Sequence, residues 1–278
     1  MNMSKLSRMP VNAFSFNSYL LGTAQCASAL VLLAIPFAGF AQSTVQADAA
    51  VIALDQKNCE AATDALNKGM ANNEPKSFYI AGQLFEYGIC LKTDPAKSAA
   101  VYERAALLGD TEAARSLALL HARGAGVAQS YQEAGRWYAV MRDEKKGVET
   151  QSAESYAAPD AVAKTYTEAV NDFSEQRMTY PREAAVAGVT GKVRVRFDPR
   201  TGAASVVSSS DNAGLPMNHV GPNKHLFERA LLAGYDDAVK TLPKPTIPAT
   251  GDFTSEREVK FDRSPDSAND HGLQLLRR

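Results

Sequence analysis

The sequence predicts a chain of two folded parts, a short α-solenoid followed by a small α+β domain. Residues 82–105 align with residues 118–141 at a fixed offset of 36, a period typical of helix–turn–helix repeats. Further along, Val193, Val195 and Phe197 alternate with basic residues, which is the period-two pattern of a half-buried strand. This strand opens the order strand–strand–helix–strand, which predicts a three-stranded antiparallel sheet with one packed helix.

Composition sets the outer bounds on function. The chain has 278 residues, of which 45% are hydrophobic, so it can bury more than one core. Its formal charge is -1, from 30 basic and 31 acidic residues. The only charged residues among the first 41 are Lys5 and Arg8. The remainder therefore has 28 basic and 31 acidic residues, a formal net charge of -3. This charge does not favour nucleic acid or an anionic membrane surface as the partner.

The N-terminal segment, residues 1–41, has the pattern of a secretory signal. Lys5 and Arg8 give a positive start, an apolar run follows at Ala27–Phe40, and small residues precede Gln42. We therefore predict cleavage near Gln42 and a periplasmic location in a Gram-negative-type envelope. The alternative is an uncleaved inner-membrane anchor, since the apolar stretch reaches spanning length if it is counted from Leu20.

The cysteines fit export. Cys26 falls within the segment predicted to be removed, which leaves Cys59 and Cys90. An even count in an oxidising compartment predicts one disulfide, and two buried free thiols are the alternative. A disulfide closing a loop of that size would stabilise the fold by about 3–4 kcal/mol.

The solenoid is predicted over residues 49–142. In each repeat a first helix (Ser77–Tyr87, then Thr111–Arg123) ends at a glycine, the residue that most readily adopts the left-handed cap. In the first repeat, Asp94 is the expected N-cap of the second helix and Pro95 its first residue.

The second repeat carries the more specific pattern, RGAGVAQSYQEAGRWYAVM. It resembles the Sel-one-like repeats, relatives of the tetratricopeptide repeats, over about Lys76–Arg142. The resemblance implies a protein-binding scaffold, and exported members often tie repeats together by disulfides, as a Cys59–Cys90 bridge would do. A structural spacer is the alternative.

Residues 143–176 are polar and alanine-rich and are interpreted as a linker with a helix near Asp160–Phe173. The second domain is predicted over residues 177–262. Its first strand ends at Asp198, its second strand is Ala204–Ser208, its helix begins after Asn223, and its last strand contains Val259 and Phe261. Residues 263–278 are predicted to be a flexible tail.

The run from Tyr180-Pro181 through Gly188 and Gly191 to Phe197, followed by Phe-Glu-Arg-Ala at 227–230, resembles the C-terminal domain of TonB-like energy transducers. The resemblance implies an adaptor that binds an extended segment of an outer-membrane transporter by adding it as a strand to the sheet edge. The contact surface implied for this chain is the run before the first strand together with the last strand. The candidate partner-binding residues are Gln176, Tyr180, Pro181, Arg257, Val259 and Phe261.

Two features of the transducers are missing from the sequence. No histidine precedes His121, although the family's membrane anchor often carries one, and there is no long proline-rich spacer. Docking is therefore expected, and force transmission is not. The alternatives are a TonB-type transducer that keeps its anchor and a structural scaffold of the cell envelope.

No residue pattern predicts catalysis, a metal or a cofactor. The four histidines (His121, His219, His225 and His271) are scattered, and His219 with His225 lies in a predicted loop without cysteine or acidic companions at ligand spacing. Ser208–Ser210 lacks the context of a nucleophile elbow. We predict a non-enzymatic chain with a protein partner in the cell envelope, without nucleic acid, and with membrane contact only if the N-terminal segment is retained.

Overall fold

The computed structural model describes five stretches of the chain: residues 44–142, 153–178, 181–182, 190–211 and 225–261. Within them lie eight α-helices, one short 3-10 helix and one three-stranded antiparallel sheet. A helical repeat region followed by a small sheet is therefore confirmed as the fold. The predictions for residues 1–41, Tyr180, Asn223 and residues 263–278 lie outside the described residues.

The first six helices form three consecutive pairs. They are α1 (Val45–Asp55) with α2 (Cys59–Ala71), α3 (Pro75–Tyr87) with α4 (Pro95–Leu107), and α5 (Thr111–Arg123) with α6 (Tyr131–Arg142). Both helices of the last pair begin 36 residues after their counterparts in the pair before it, which confirms the predicted repeat.

The helix ends follow the residues that the sequence places there. The Asp94 carboxylate accepts a hydrogen bond from the Lys97 backbone N–H at 3.1 Å, and so caps α4 as predicted. Gly88 and Gly124 end α3 and α5 with φ of 70°, the left-handed conformation that favours glycine. Within the first of these repeats, Gly82 of α3 lets Tyr102 of α4 approach so closely that an added Cβ would lie 2.4 Å from the ring.

Most of the predicted linker that the structure describes is helical. A short 3-10 helix (Ala153–Tyr156) precedes α7 (Pro159–Arg177), and α7 packs against α5 and α6 much as α5 packs against α3 and α4. The apolar side chains of α7 recur every three or four residues and are at most 1% exposed: Ala163, Tyr166, Ala169, Val170 and Phe173. The chain here is thus a core helix, longer than the helix expected at Asp160–Phe173. The domain boundaries themselves stay predictions, because residues 143–152 and 179–180 are not described.

The sheet has the predicted order of elements. The strands are β1 (Gly191–Asp198), β2 (Ala203–Asp211) and β3 (Ser255–Phe261), and α8 (Leu226–Thr241) lies between β2 and β3 in sequence. The sheet order is β2-β1-β3, so β1 is central, and Val193 pairs with Ser209 on one side and with Val259 on the other. The side chains of Val193, Val195 and Phe197 are completely buried, as their alternation predicts.

One hydrophobic core joins the helix pairs to the sheet. Aromatic rings follow one another from α6 to α8, with centroids of Tyr131 and Tyr166 5.6 Å apart, Tyr166 and Phe197 6.4 Å apart, and Phe197 and Tyr235 5.6 Å apart. The Tyr131 hydroxyl also donates to the Pro243 carbonyl at 2.6 Å. All described elements belong to one compact unit. Helices α7 and α8 form a further helix pair, and this pair also packs on the sheet.

Candidate functional site in the groove between α7 and β3

The two edges of the sheet differ in their capacity to pair with another strand. In the described part of the chain, β3 pairs with β1 on one side and with no strand on the other. The β2 edge carries a β-bulge, because Arg194 pairs with Ser208 while Val195 pairs with Val206, which leaves Val207 as the extra residue. A bulge twists an edge away from further pairing, so β3 is the more suitable edge for strand addition.

A groove of about 470 Å³ runs between α7 and the start of β3. The residues that line it are mainly polar or charged in type and come from two segments. The residues are Lys164, Thr167, Glu168, Asn171 and Asp172 of α7, and Asp252, Phe253, Thr254, Ser255, Glu256 and Arg257 from the approach to β3 and from β3 itself. The groove thus lies beside the edge that can pair.

Hydrogen bonds between buried side chains fix α7 against the start of β3. The Thr167 hydroxyl lies 3.2 Å from the Phe253 carbonyl, and the Asn171 amide donates to the Ser255 hydroxyl at 3.0 Å. The Asn171 carbonyl oxygen also accepts a hydrogen bond from the Tyr235 hydroxyl at 2.7 Å. Because Tyr235 lies on α8, this one amide connects three elements, and the wall of the groove is rigidly positioned.

Five charged residues connect α5, α7 and β3, and we call them the junction cluster: Glu112, Arg115, Asp172, Glu175 and Arg257. Arg257 contacts Glu175 directly, and its Nη1 lies 3.8 Å from Oδ1 of Asp172. On the other side, Arg115 Nε lies 3.8 Å from Oδ2 of Asp172, and Arg115 Nη1 lies 3.6 Å from Glu112. Burial raises the pKa of Asp172 to about 6, although both arginines act to lower it.

The structure brings only part of the predicted partner-binding set to the groove. Arg257 lines it, and Gln176 is half-buried in the last turn of α7, next to the Glu175 that Arg257 contacts. Val259 and Phe261 are 5% and 2% exposed, so their side chains face the core and only their backbone groups can meet a partner. Pro181 is half-buried, and Tyr180 lies outside the described residues.

The interpretation of residues 143–176 as a linker overlooked the α7 side of the groove. Thr167, Asn171 and Glu175 recur every four residues, beside the apolar series of the same helix. The apolar series alone is the pattern of a helix packed on a core, and this signal could have identified α7 as a core helix.

The predicted disulfide is confirmed, since Cys59 at the start of α2 is bonded to Cys90 in the loop after α3. Among the described residues there is no group of three or more side chains suited to hold a metal ion. None of the described helices combines the length and apolar character needed to cross a bilayer.

Comparisons with known proteins find similarity among solved structures, where five chains match. No family model and no curated protein matches this chain. The crystal structure of a Sel1 repeat protein from Oxalobacter formigenes is similar, with a TM-score of 0.34 and 18% sequence identity. The match covers 47% of this chain and 60% of that chain, which is less than two thirds of the solved protein.

Proposed function

We propose that this chain is a non-enzymatic protein–protein interaction adaptor, and that the groove between α7 and β3 is its docking site. An extended segment of a partner would add to β3 as a fourth strand, as the resemblance to TonB-like domains implies. The observation that carries this proposal is the position of the groove beside the sheet edge that pairs with no described strand, opposite the bulged β2 edge.

The chemistry of the groove supports this mode of binding. In strand addition, backbone hydrogen bonds give affinity and alternate side chains give selectivity. The β3 residues that face solvent beside β1 are charged, with Glu256 and Glu258 paired to basic residues of β1 at 2.8–3.9 Å. These ion pairs hold β3 in register while its outer edge accepts a strand.

We further propose that the chain is exported and acts in the periplasm, and a partner segment from an outer-membrane transporter is one candidate. The Cys59–Cys90 bond supports export, because disulfides persist mainly in oxidising compartments. Mass spectrometry of the natural protein tests this part. A mature chain that begins near Gln42 supports it, whereas an intact N-terminus would favour a membrane-anchored transducer.

The docking proposal is tested with an array of ten-residue peptides from envelope and outer-membrane proteins. Each peptide that binds the full chain is remade in two versions, one for each alternate set of backbone nitrogens, with that set methylated, which removes donors while it keeps every side chain. Only every second N–H of an added strand faces β3, so strand addition predicts that one of the two versions loses binding. Binding that survives in both versions, or no binding at all, would overturn the docking proposal, and co-sedimentation with peptidoglycan would then support a structural scaffold instead.

A further inference from the structure

The junction cluster contains one carboxylate more than its arginines can neutralise. Glu112, Asp172 and Glu175 contribute three negative charges when ionised, and Arg115 and Arg257 contribute two positive charges, so the cluster carries a net charge of -1. The neighbouring Glu168 does not change this balance, because it is paired with Arg142 at 2.7 Å. One added proton would make the cluster neutral.

Asp172 is the carboxylate whose geometry best accommodates that proton. Its side chain is 13% exposed, and its distance of 3.8 Å to each arginine is too long for a hydrogen bond. Its Oδ2 is buried and has no hydrogen-bond partner among the described residues, and the same holds for Arg115 Nε and for the hydroxyl of Tyr138. Glu112 and Glu175 lie nearer to their own arginines, which they would keep when Asp172 is neutral.

We propose that Asp172 is a proton-binding switch, and that its proton tightens the packing of β3 against α7 and α5. A protonated carboxyl relieves the excess negative charge and removes the cost of burying an ion at this position. Arg115 then remains with Glu112 and Arg257 with Glu175. The ionisable groups that surround Asp172 from the elements packed on it are Arg115 of α5, Tyr138 of α6, Glu168 and Glu175 of α7, Tyr235 of α8, and Arg257 of β3.

The direction of the pH effect follows from burial. The pKa of Asp172 is raised to about 6, mainly by burial, from an ordinary value of 3.8. We call the arrangement in which β3 packs tightly against α7 and α5 the closed junction. It binds the proton more tightly than any state in which Asp172 is hydrated. Lowering the pH through 6 favours the closed junction. This stabilisation is complete only below pH 3.8, the ordinary pKa of the aspartate side chain. As the pH rises through 6, the buried charge returns and the junction loosens.

The consequence for docking rests on the proposed function. Because Asp172 and Arg257 both line the groove, a tightened junction leaves less room for an added strand. Docking at β3 is then weaker in acidic surroundings than at neutral pH.

The switch itself is tested on the full chain without any partner. Backbone hydrogen exchange is measured at pH 5.0 and 7.5, corrected for intrinsic rates, for the natural protein, for Asp172→Asn and for Asp236→Asn. Asp236 is a matched control, because it is an exposed carboxylate on α8 whose ion pair within the described part of the chain is with Lys240. We expect amides of β3 to exchange roughly tenfold more slowly at the lower pH in the natural protein and in Asp236→Asn. Asp172→Asn, which mimics the protonated form, should exchange slowly at both values.

Exchange that does not depend on pH in the natural protein, or a pH dependence that persists in Asp172→Asn, would overturn the proposal. If the variant does not fold, the carbon-13 shift of the Asp172 carboxyl in the natural protein decides. A midpoint near pH 6 supports the switch, and a midpoint at or below 4 overturns it. Neither measurement uses a partner, so failure here is distinguishable from failure of docking.

Discussion

Replacing Phe173 by alanine tests whether α7 joins the helix pairs to the sheet. The Phe173 side chain is 1% exposed, and two guanidinium groups lie over its ring, 5.5 Å (Arg123 of α5) and 5.3 Å (Arg177 of α7) from its centroid. Removing a fully buried phenylalanine costs about 3–5 kcal/mol in the free energy of unfolding. Each cation–π contact adds about 0.5–1 kcal/mol to what is lost.

The assay is urea unfolding followed by the fluorescence of Trp137, the single tryptophan of the chain. Trp137 lies in α6 and is 8% exposed, so its fluorescence reports on the packing of the last helix pair. We expect Phe173→Ala to lower the Trp137 midpoint by an amount that corresponds to at least 3 kcal/mol. The matched control is Lys164→Ala, an exposed position of the same helix, which should change stability by less than about 0.5 kcal/mol.

An unchanged Trp137 transition in Phe173→Ala would refute this reasoning. It would mean that residues 159–177 connect two separately folding domains, as the linker interpretation holds. A cooperative loss seen equally by Trp137 fluorescence and by circular dichroism would instead support one unit that unfolds together.

Three further predictions concern the helix pairs. Replacing Cys59 and Cys90 by serine should lower the free energy of unfolding by about 3–4 kcal/mol. A reductant should then have no further effect on the urea midpoint of the variant. A variant midpoint equal to that of the oxidised natural protein would contradict the disulfide bond. Gly82→Ala should cost about 1–3 kcal/mol by overpacking, because the new Cβ would meet the Tyr102 ring at 2.4 Å, and an unchanged melting temperature would count against this close approach. Asp110→Ala removes the carboxylate that caps α5 at 2.8 Å and should cost about 1 kcal/mol in urea unfolding, whereas Asp110→Asn should retain most of the capping.

Local sequence patterns predicted the helices and strands well wherever a residue type strongly favours one structural role. The glycines that end α3 and α5, the Asp94 cap and the alternation of β1 are of this kind, and the structure has them where the sequence indicates. The 36-residue offset likewise predicted the repeat, although α3 begins at Pro75, two residues before the expected Ser77. Such signals depend on residues that are close in the sequence, so they can be interpreted without knowledge of the fold.

Only the β3 side of the groove could be predicted from the sequence. The α7 side depends on contacts between residues that are far apart in the chain. Asn171 and Asp172 look like ordinary surface residues in a polar segment, and their role appears only once Ser255 and Arg257 lie beside them. For the same reason the resemblance places Val259 in the partner-binding set, although its side chain lies in the core. A strand has two faces, and the sequence resemblance does not say whether a partner meets the side chains or the backbone edge.

The most direct test of the docking site is backbone hydrogen exchange of the full chain with and without a saturating peptide taken from the array. Strand addition predicts added protection of amides within Ser255–Phe261 of β3, with those of Ala203–Asp211 in β2 unchanged. Protection of β2 alone, of the helix pairs alone, or of no amide despite saturation would contradict docking at β3.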